Sequence, residues 1–457
     1  MQLQSPLFRI PRELRDQIYG HYLICETGLE YDFSKNKLTR MDGEDIDLSL
    51  TYTCREAAAE LHGLALRLNK ITFRTACPGS SRFNRGKFDV GMRILNSKKE
   101  HLLDEIAQSC LTDEMEKKIT LVYPQFAPIV RKWRLGGRIG QTLRGDFTFR
   151  EPPSVYRDFV HFTLKILENS PHFSMPSHLL SLPHLKPWQY PDDEALEEIL
   201  SITFAREARP NVHNISWPVY WDGRGVIVSA AACAIQFLSS LPRSIRSELR
   251  RIDLIEDRKS VSYPECHARG LIPFCQENEK LRIHSRVDVW WNLLWEHHWG
   301  KVKVHSRDIS RTLAKWMGET MALPLLGMPS EAFMMTFECD SAPEKATEVF
   351  DVLQRDAAWQ VALDLSYERQ HLPTPSWDDR RRTTGHISDD FPQILKNIVN
   401  NDSFIRCDFF PGDPHDPELI VNQHMGKSLD EWEELWRFHT PLKISMPSNR
   451  PSWCPAR

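Results

Sequence analysis

The middle of the chain alternates between segments typical of β-strands and segments typical of α-helices. The strand-like stretches are "RRIDLIED" (250–257) and "EAFMMTFECD" (331–340). The stretches with helical spacing are "AIQFLSSLPRSIRSEL" (234–249), "DVWWNLLWEHHW" (288–299) and "APEKATEVFDVLQRDAAWQVAL" (342–363). Strands separated by helices predict βα units, a partly parallel sheet and therefore an α+β or mixed α/β fold. No fixed repeat length emerges, so a regular solenoid is not supported, while an irregular leucine-rich-repeat-like array stays open.

The length of the chain indicates more than one domain. At 457 residues it is too long for a single hydrophobic core, and roughly two to four domains are expected. We predict a helical module at residues 1–75, a connector at 76–97, an irregular α/β body at 98–372 and a loop-rich C-terminal region at 373–457. Proline-rich stretches at 171–191 and 373–392 are the predicted long loops.

Composition and charge argue against several classes of protein. The chain carries 58 basic and 62 acidic residues, so its net charge of −4 provides no overall field that would attract nucleic acid. The N-terminus lacks the basic start and apolar core of a signal peptide. The longest nearly apolar run, "VIVSAAACAIQFL" (226–238), is too short to cross roughly 30 Å of hydrocarbon and predicts a buried helix. The ten cysteines are most simply reduced thiols. We expect a cytoplasmic or nuclear protein without a membrane partner.

The first residues, "SPLFRIPRELRDQIYGHYL" (5–23), predict an amphipathic helix. Pro11 suits the first helical position, where its missing N–H would have no partner. Leu14, Ile18 and Tyr22 recur every four residues and form an apolar stripe, which Leu23 widens.

A second helix is predicted in "TYTCREAAAELHGLALRLNKITF" (51–73). Thr53 and Glu56 have the spacing of a capping box at its start. Its apolar positions, from Cys54 to Leu68, lie on one face, and a short strand follows. Two such helices cannot each bury a stripe alone, so we expect them to pack on each other.

These two segments resemble a known family. "IPRELRDQIYGHYL" and "IDLSLTYTCREAAAELHGLALRLNKITF" together are similar to the F-box-like module at the start of many uncharacterised fungal proteins. The shared pattern is an Ile-Pro-x-Glu start, a helix with Arg-x-x-Ile-Tyr, and a Thr-Cys-Arg turn into the second helix. The link between the helices, residues 24–52, is longer than in a standard F-box. The resemblance covers about the first 75 residues and gives no activity for the remainder.

The resemblance implies a function in protein interaction. F-box modules dock an adaptor of the Skp type, which joins them to a cullin-RING ubiquitin ligase, while the rest of the chain captures a protein substrate. Carried over by position, the docking residues are Ile10, Pro11, Leu14, Ile18 and Leu23. The alternative for each of these residues is ordinary core packing. Apolar stripes on helices more often pack inside their own protein than bind a partner protein.

No set of residues predicts catalysis, a metal or a cofactor. Cys266, His267 and Cys275 in "PECHARGLIPFC" lack the paired spacing of a structural zinc site. His297 and His298 belong to a tryptophan-rich stripe that is more typical of a core. The basic stretch "RKWRLGGRIG" (131–140) lacks the spacing of a phosphate-binding loop and predicts a surface loop. The basic run 380–382 follows two aspartates, which are expected to cancel most of its charge.

Three hypotheses about function therefore remain. The first is a non-catalytic interaction protein of the F-box type, and the second is a scaffold or binding protein in which the opening helices are only structural. The third is an unrecognised enzyme or metalloprotein that uses the histidines and thiols named above.

Overall fold

The computed structural model describes residues 5–77, 82–137, 148–173, 184–189, 192–204, 227–294, 305–340 and 342–438. Its strands are β1 (Leu29–Asp32), β2 (Lys37–Arg40), β3 (Lys70–Arg74), β4 (Arg251–Glu256), β5 (Arg282–Asp288), β6 (Phe333–Glu338) and β7 (Ile405–Cys407). Its helices are α1 (Pro6–Arg9), α2 (Arg12–Leu23), α3 (Arg55–Leu61), α4 (Leu64–Leu68), α5 (Arg82–Cys110), α6 (Asp113–Val122), α7 (Ala127–Arg134), α8 (Pro153–Leu167), α9 (Asp193–Phe204), α10 (Ala230–Ser240), α11 (Arg243–Arg246), α12 (Ile272–Glu277), α13 (Ser306–Ala322), α14 (Pro343–Glu368), α15 (Trp377–Arg382), α16 (Phe391–Val399), α17 (Pro417–His424) and α18 (Leu429–Phe438). Shorter 3-10 turns occupy Ser49–Tyr52, Pro124–Phe126 and Pro264–Leu271, and Val289–Leu293 forms a π-helical turn.

All seven strands belong to one sheet in the order β2-β1-β3-β4-β5-β6-β7. The β1–β2 pair is an antiparallel hairpin, and every other neighbouring pair is parallel. The predicted mixed α/β class with a largely parallel sheet is therefore confirmed. The parallel strands follow one another in chain order but start at very uneven intervals. A leucine-rich-repeat-like array stays a prediction.

One face of this sheet is apolar and buried. Phe73, Leu254, Ser285, Met335 and Ile405 lie directly opposite one another on successive strands, and each is buried. Residues on one face of a strand alternate with residues on the other, so this row places the neighbouring residues on the opposite side. The alternating pattern in "RRIDLIED" is the sequence signal of that geometry.

Helices α10, α13 and α14 pack against the buried face. Phe237 of α10 packs against Tyr31 and Phe73, with ring centroids 5.2 and 5.5 Å apart. Phe350 of α14 packs edge-on against Phe337 of β6 at 5.6 Å. The helix α13 reaches the same face through its buried Thr320, whose hydroxyl lies 3.2 Å from the sulfur of Met335. The apolar run at 226–238 thus supplies the predicted buried helix.

The opposite face of the sheet is polar. Its side chains pair across the strands, with Lys70 Nζ 2.9 Å from Asp253 and Arg74 Nε 3.0 Å from Glu30. Parallel sheets are usually covered by helices on both sides. This one instead presents a ladder of half-buried charged residues on one side.

A helical layer lies in the chain connection between β3 and β4. Helices α5 to α8 share a separate apolar cluster, in which Phe126 and Phe159 stack with ring centroids 4.3 Å apart. None of the helices in the described part of the chain has both the length and the apolar character required to cross a membrane.

The secondary structure crosses several of the predicted boundaries. Within residues 1–75, β1 and β3 bury Leu29 and Ile71 in the same core as the rest of the sheet. Most of the predicted connector at 76–97 belongs to α5, which begins at Arg82. The loop-rich C-terminal region holds strand β7 and four helices, one of them inside the predicted loop at 373–392.

The start of α3 also differs from the prediction. The cap is Cys54, whose sulfur accepts from the amide of Ala57, while the Thr53 hydroxyl donates to Leu50 O. Gly63, in a left-handed conformation with φ of 68°, then ends the helix and starts α4. The predicted packing of the two N-terminal helices on each other is confirmed. The link between them contains the antiparallel hairpin of β1 and β2.

Gly63→Ala tests how the N-terminal helices join the body. A Cβ at Gly63 would overlap the side chain of Glu248, which accepts from Arg67 Nε at 2.8 Å. Gly43 has φ of 83° with open space around it, so Gly43→Ala reports backbone strain alone. We expect a loss of about 1 kcal/mol for Gly43→Ala and about 2–4 kcal/mol for Gly63→Ala in urea unfolding. Equal losses would show that Glu248 moves aside freely.

Candidate functional site

The helix α2 has one buried side and one exposed side. Tyr19 and Leu23 are buried against Ala57 and Leu61 of α3. Leu14 and Ile18, one turn apart, are 48% and 45% exposed. Pro11 is also exposed, whereas Ile10 is half-buried. Of the five predicted docking residues, the structure therefore brings Pro11, Leu14 and Ile18 to one exposed surface, which we call the N-terminal edge. It places Leu23 in the core.

A single carboxylate holds the buried side of α2 in place. Glu60 of α3 accepts hydrogen bonds from Arg15 Nε at 3.0 Å and from the Tyr19 hydroxyl at 2.8 Å, and Arg12 Nη1 lies 3.1 Å away. Arg15 also donates to the backbone oxygen of Ile10 at 2.8 Å. The hydrogen bonds from Arg15 lower the pKa of Glu60 to about 2. Glu60 therefore stays ionised at neutral pH and fixes the direction in which the N-terminal edge points.

A buried amide connects these helices to the sheet. Asn69, at the end of α4 and directly before β3, donates from Nδ2 to Leu23 O at 2.7 Å and to Ala65 O at 2.8 Å. Its Oδ1 accepts from the amide of Cys25 at 2.7 Å. Sequence reasoning missed both Asn69 and Glu60, because their roles depend on residues more than 40 positions away.

Many of the exposed apolar side chains belong to the N-terminal part of the chain. Fourteen large hydrophobic residues are exposed in the described part of the chain, and six of them lie within the first 52 residues. These six are Leu14, Ile18, Ile24, Met41, Leu48 and Tyr52. The 3-10 turn that ends at Tyr52 is tied to α2 by a bond from the Leu50 amide to the Tyr22 hydroxyl, 3.3 Å long. Exposed apolar patches are typical of interaction sites, and Leu14 and Ile18 are the two of these residues that one helix places side by side.

The thiols and the histidine of "PECHARGLIPFC" do not come together as a ligand set. Cys266, His267 and Cys275 are all buried. His267 Nδ1 lies 2.6 Å from the Ser229 hydroxyl and Nε2 lies 2.7 Å from Ser262 O, so both ring nitrogens are occupied. Burial lowers the pKa of His267 to about 4. Within the described residues, no group of three or more His, Cys, Asp or Glu side chains is placed to hold a metal ion.

The other candidates are buried in the core, are paired with opposite charges, or lie outside the described residues. Trp290 and Trp291 are buried in the π-helical turn, while His297 and His298 fall outside the described part. In the stretch 131–140, α7 ends at Arg134, and residues 138–140 are likewise outside the description. The basic run 380–382 is paired with acidic side chains. Arg382 pairs with the neighbouring Asp378 as predicted, whereas Arg380 and Arg381 pair with the more distant Asp364 and Glu151.

A large cleft between the helical layer and the sheet body was not predicted. It has a volume of about 1220 Å³, and two strained loops line it. Phe149 and Arg150 have φ of 54° and 65°, and Ser262 and Tyr263 have φ of 68° and 61°. Two adjacent non-glycine residues in the left-handed region raise the conformational free energy of the backbone. Strain of this kind is concentrated at functional positions. No sequence pattern marks either loop.

Glu60→Gln is expected to weaken the packing of α2 in a pH-dependent way. Because the folded pKa of about 2 lies below the ordinary value of 4.5, the stabilisation is complete above pH 4.5 and is lost as the pH falls toward 2. We expect the variant to lose about 1–2 kcal/mol at pH 7 and progressively less at lower pH, measured by urea unfolding. Glu114→Gln is the control, because Glu114 pairs with Lys118 on the open surface. A loss that does not change with pH would contradict this role of Glu60.

Comparison with protein-family models, curated proteins and solved structures gives no match to this chain. The F-box-like resemblance of the first 75 residues therefore remains a prediction. The function has to be argued from the geometry of the site itself.

Proposed function

We propose that the protein is a non-catalytic interaction protein of the F-box type, which docks a Skp-type adaptor through its N-terminal edge and captures a protein substrate with its body. The exposure of Leu14 and Ile18 carries this proposal. The other side of the same helix is fixed by buried contacts, so the two side chains have no partner in the packing of α2 on α3. A helix of this kind is suited to contacting a groove on another protein.

The physical properties of the N-terminal edge agree with docking. Leu14 and Ile18 are spaced four residues apart and point in the same direction from α2. Covering two half-exposed aliphatic side chains removes apolar surface from water and favours association. Tyr52, which is 80% exposed beside the same helix, adds an aromatic side chain of the type found in binding hot spots.

The connection between the edge and the sheet supports the receptor part of the proposal. The Asn69 hydrogen bonds join α2, α4 and β3, so a partner bound at the edge would hold the whole sheet in a fixed orientation. The polar face of the sheet presents charged side chains such as Lys70 and Arg74, which can form complementary contacts with a substrate. A ligase receptor needs this rigid relation between adaptor and captured protein.

One observation favours the second candidate, a scaffold in which the N-terminal helices are structural. Residues 1–75 supply three strands to the sheet and bury Tyr19 and Leu23 fully or nearly so. Their removal would expose the edge of β4 and a part of the main core. The two candidates differ only in whether the exposed side of α2 binds a partner.

A binding measurement separates the two candidates. The full chain is mixed with a purified Skp-type adaptor, and the dissociation constant is measured for the wild type, for Leu14→Asp/Ile18→Asp and for Leu121→Asp. Leu121 is 84% exposed on α6, so it is a control for adding charge to an exposed leucine. We expect at least a tenfold loss for the double variant, because a carboxylate would be desolvated in the interface, and no change for the control.

Two outcomes of this experiment would contradict the receptor proposal. A wild-type chain that binds no adaptor overturns the receptor proposal, and so does a double variant that binds normally. Thermal unfolding of both variants is compared with the wild type, because Leu14 and Ile18 are exposed and their substitution should leave the melting temperature nearly unchanged.

A further inference from the structure

Three neighbouring strands of the sheet begin in the same way. β3 is "KITFR", β4 is "RIDLIE" and β5 is "RIHSRVD", so each starts with a basic residue that is followed by isoleucine. The strands pair in register, with Lys70 opposite Arg251 and Arg251 opposite Arg282. Neighbouring strands lie about 4.8 Å apart, so these three cations form a row roughly 10 Å long. We call Lys70, Arg251 and Arg282 the basic row.

The isoleucines of this pattern belong to the core, whereas the cations do not. Ile71, Ile252 and Ile283 lie opposite one another and are buried. Because successive residues of a strand point to opposite faces, the basic row lies on the polar face of the sheet. Its side chains are exposed or half-buried. Core packing therefore explains the isoleucines and leaves the repeated basic residue without an explanation.

The basic row is unfavourable for the pairing of the strands. Like charges that lie directly opposite each other on neighbouring strands repel and destabilise the sheet. Threonine favours strands and would remove this repulsion at any of the three positions. A local arrangement that folding does not need is expected at functional positions, where a binding partner compensates for it.

Backbone oxygens orient the two arginines of the row. Arg251 Nη2 donates to Leu68 O at 3.2 Å, and Arg282 Nη1 donates to Glu279 O at 2.6 Å. A carbonyl oxygen is uncharged, so these hydrogen bonds fix the direction of each guanidinium group and leave its positive charge in place. A guanidinium group has five N–H donors and can contact a second acceptor at the same time.

Two carboxylates of the chain itself contact the row. Asp253, on the polar face of β4, lies 2.9 Å from Lys70 Nζ. Glu331 lies 4.0 Å from Arg282 and its side chain is 82% exposed, so this pair is screened by water and contributes little. Lys70 and Arg282 are the two ends of the row. The row therefore already accepts carboxylate oxygens at both of its ends.

Acidic residues also limit the extent of this cationic surface. Glu248 and Glu277 lie in the segments that lead into β4 and β5. Glu248 accepts from Arg67 Nε at 2.8 Å, and Glu277 accepts from Arg246 Nε at 2.8 Å. A nucleic acid carries a negative charge on every nucleotide and would extend beyond the row toward these carboxylates. A short acidic segment of a protein matches the length of the row without that repulsion.

We propose that the basic row binds an acidic segment of a partner protein, in which several consecutive residues are aspartate or glutamate. An extended segment places side chains on one side about every 6.7 Å, so two carboxylates fit along the row. Each forms charge-assisted hydrogen bonds with the cations and reduces their mutual repulsion. Asn69 directly precedes Lys70, so the bound segment has a fixed position relative to α2. Only the description of this partner as the captured substrate rests on the proposed function.

Fluorescence polarisation of labelled probes with the full chain tests the proposal. The probes are a peptide with five consecutive glutamates, the same peptide with five glutamines, and an oligothymidylate of equal length. We expect the glutamate peptide to bind about tenfold more tightly than the glutamine peptide, with an affinity that falls as salt is added. Equal affinities of the two peptides overturn the proposal. An oligothymidylate that binds more tightly than the glutamate peptide also overturns it, in favour of nucleic acid.

Variants of the row test the assignment to these residues. Arg251→Gln/Arg282→Gln should lower the affinity for the glutamate peptide about tenfold, because two of the three charges are removed. Arg251→Lys/Arg282→Lys keeps both charges and should bind almost as tightly as the wild type. Arg131→Gln/Lys117→Gln removes two exposed charges from the helical layer and should change nothing. A glutamine variant of the row that binds normally contradicts the assignment, and so does a lysine variant that loses as much affinity as the glutamine variant.

Failure of peptide binding and failure of adaptor docking are distinguishable. The peptide is titrated without any adaptor, and the N-terminal edge lies on α2, not on the sheet. We expect Leu14→Asp/Ile18→Asp to bind the glutamate peptide like the wild type, and the glutamine variant of the row to bind the adaptor like the wild type. A glutamine variant that also loses the adaptor and melts at a lower temperature shows a structural role of the row and overturns the proposal.

Discussion

The structure depends on one buried row of side chains that crosses the parallel sheet from Phe73 on β3 to Ile405 on β7. These residues bury an apolar surface under α10, α13 and α14, and burial of apolar area is the dominant favourable contribution to folding. The strands that carry the row come from both ends of the chain. For this reason neither the N-terminal helices nor the C-terminal region can be described as an independent unit.

The sequence predicted those features that depend on local periodicity. Strands β4 and β6, helices α10 and α14 and the amphipathic α2 all show the expected spacing of apolar residues. Sheet pairing between β3 and β4 could not be predicted in this way, because it joins residues about 180 positions apart and leaves no local pattern. The N-terminal edge was found from a helical stripe, but the stripe did not tell which of its residues face inward. The contact with α3 decides that Leu23 is buried and Ile18 is exposed.

Polar side chains decide how the parts are oriented. Glu60 fixes α2 on α3, and Asn69 fixes α2 and α4 to β3, each through three hydrogen-bonding or ionic partners. Apolar packing alone tolerates small rotations, whereas buried hydrogen bonds with defined donors and acceptors allow one geometry. The same argument applies to His267, whose two ring nitrogens bind Ser229 and Ser262 and hold a strained backbone next to the large cleft. Histidine here acts as a structural residue, not as a catalytic group.

The large cleft follows from the way the helical layer is inserted. Helices α5 to α8 fill the long connection between β3 and β4 and form a separate core, so a gap lined by polar side chains remains where the two cores meet. Buried charges in such a gap destabilise the unliganded fold unless opposite charges are supplied. Asp158 of α8 supplies such a charge to Arg269 of the 3-10 turn, with which it forms an ion pair. Because α8 belongs to the helical layer and the 3-10 turn belongs to the sheet body, this ion pair joins the two cores across the gap.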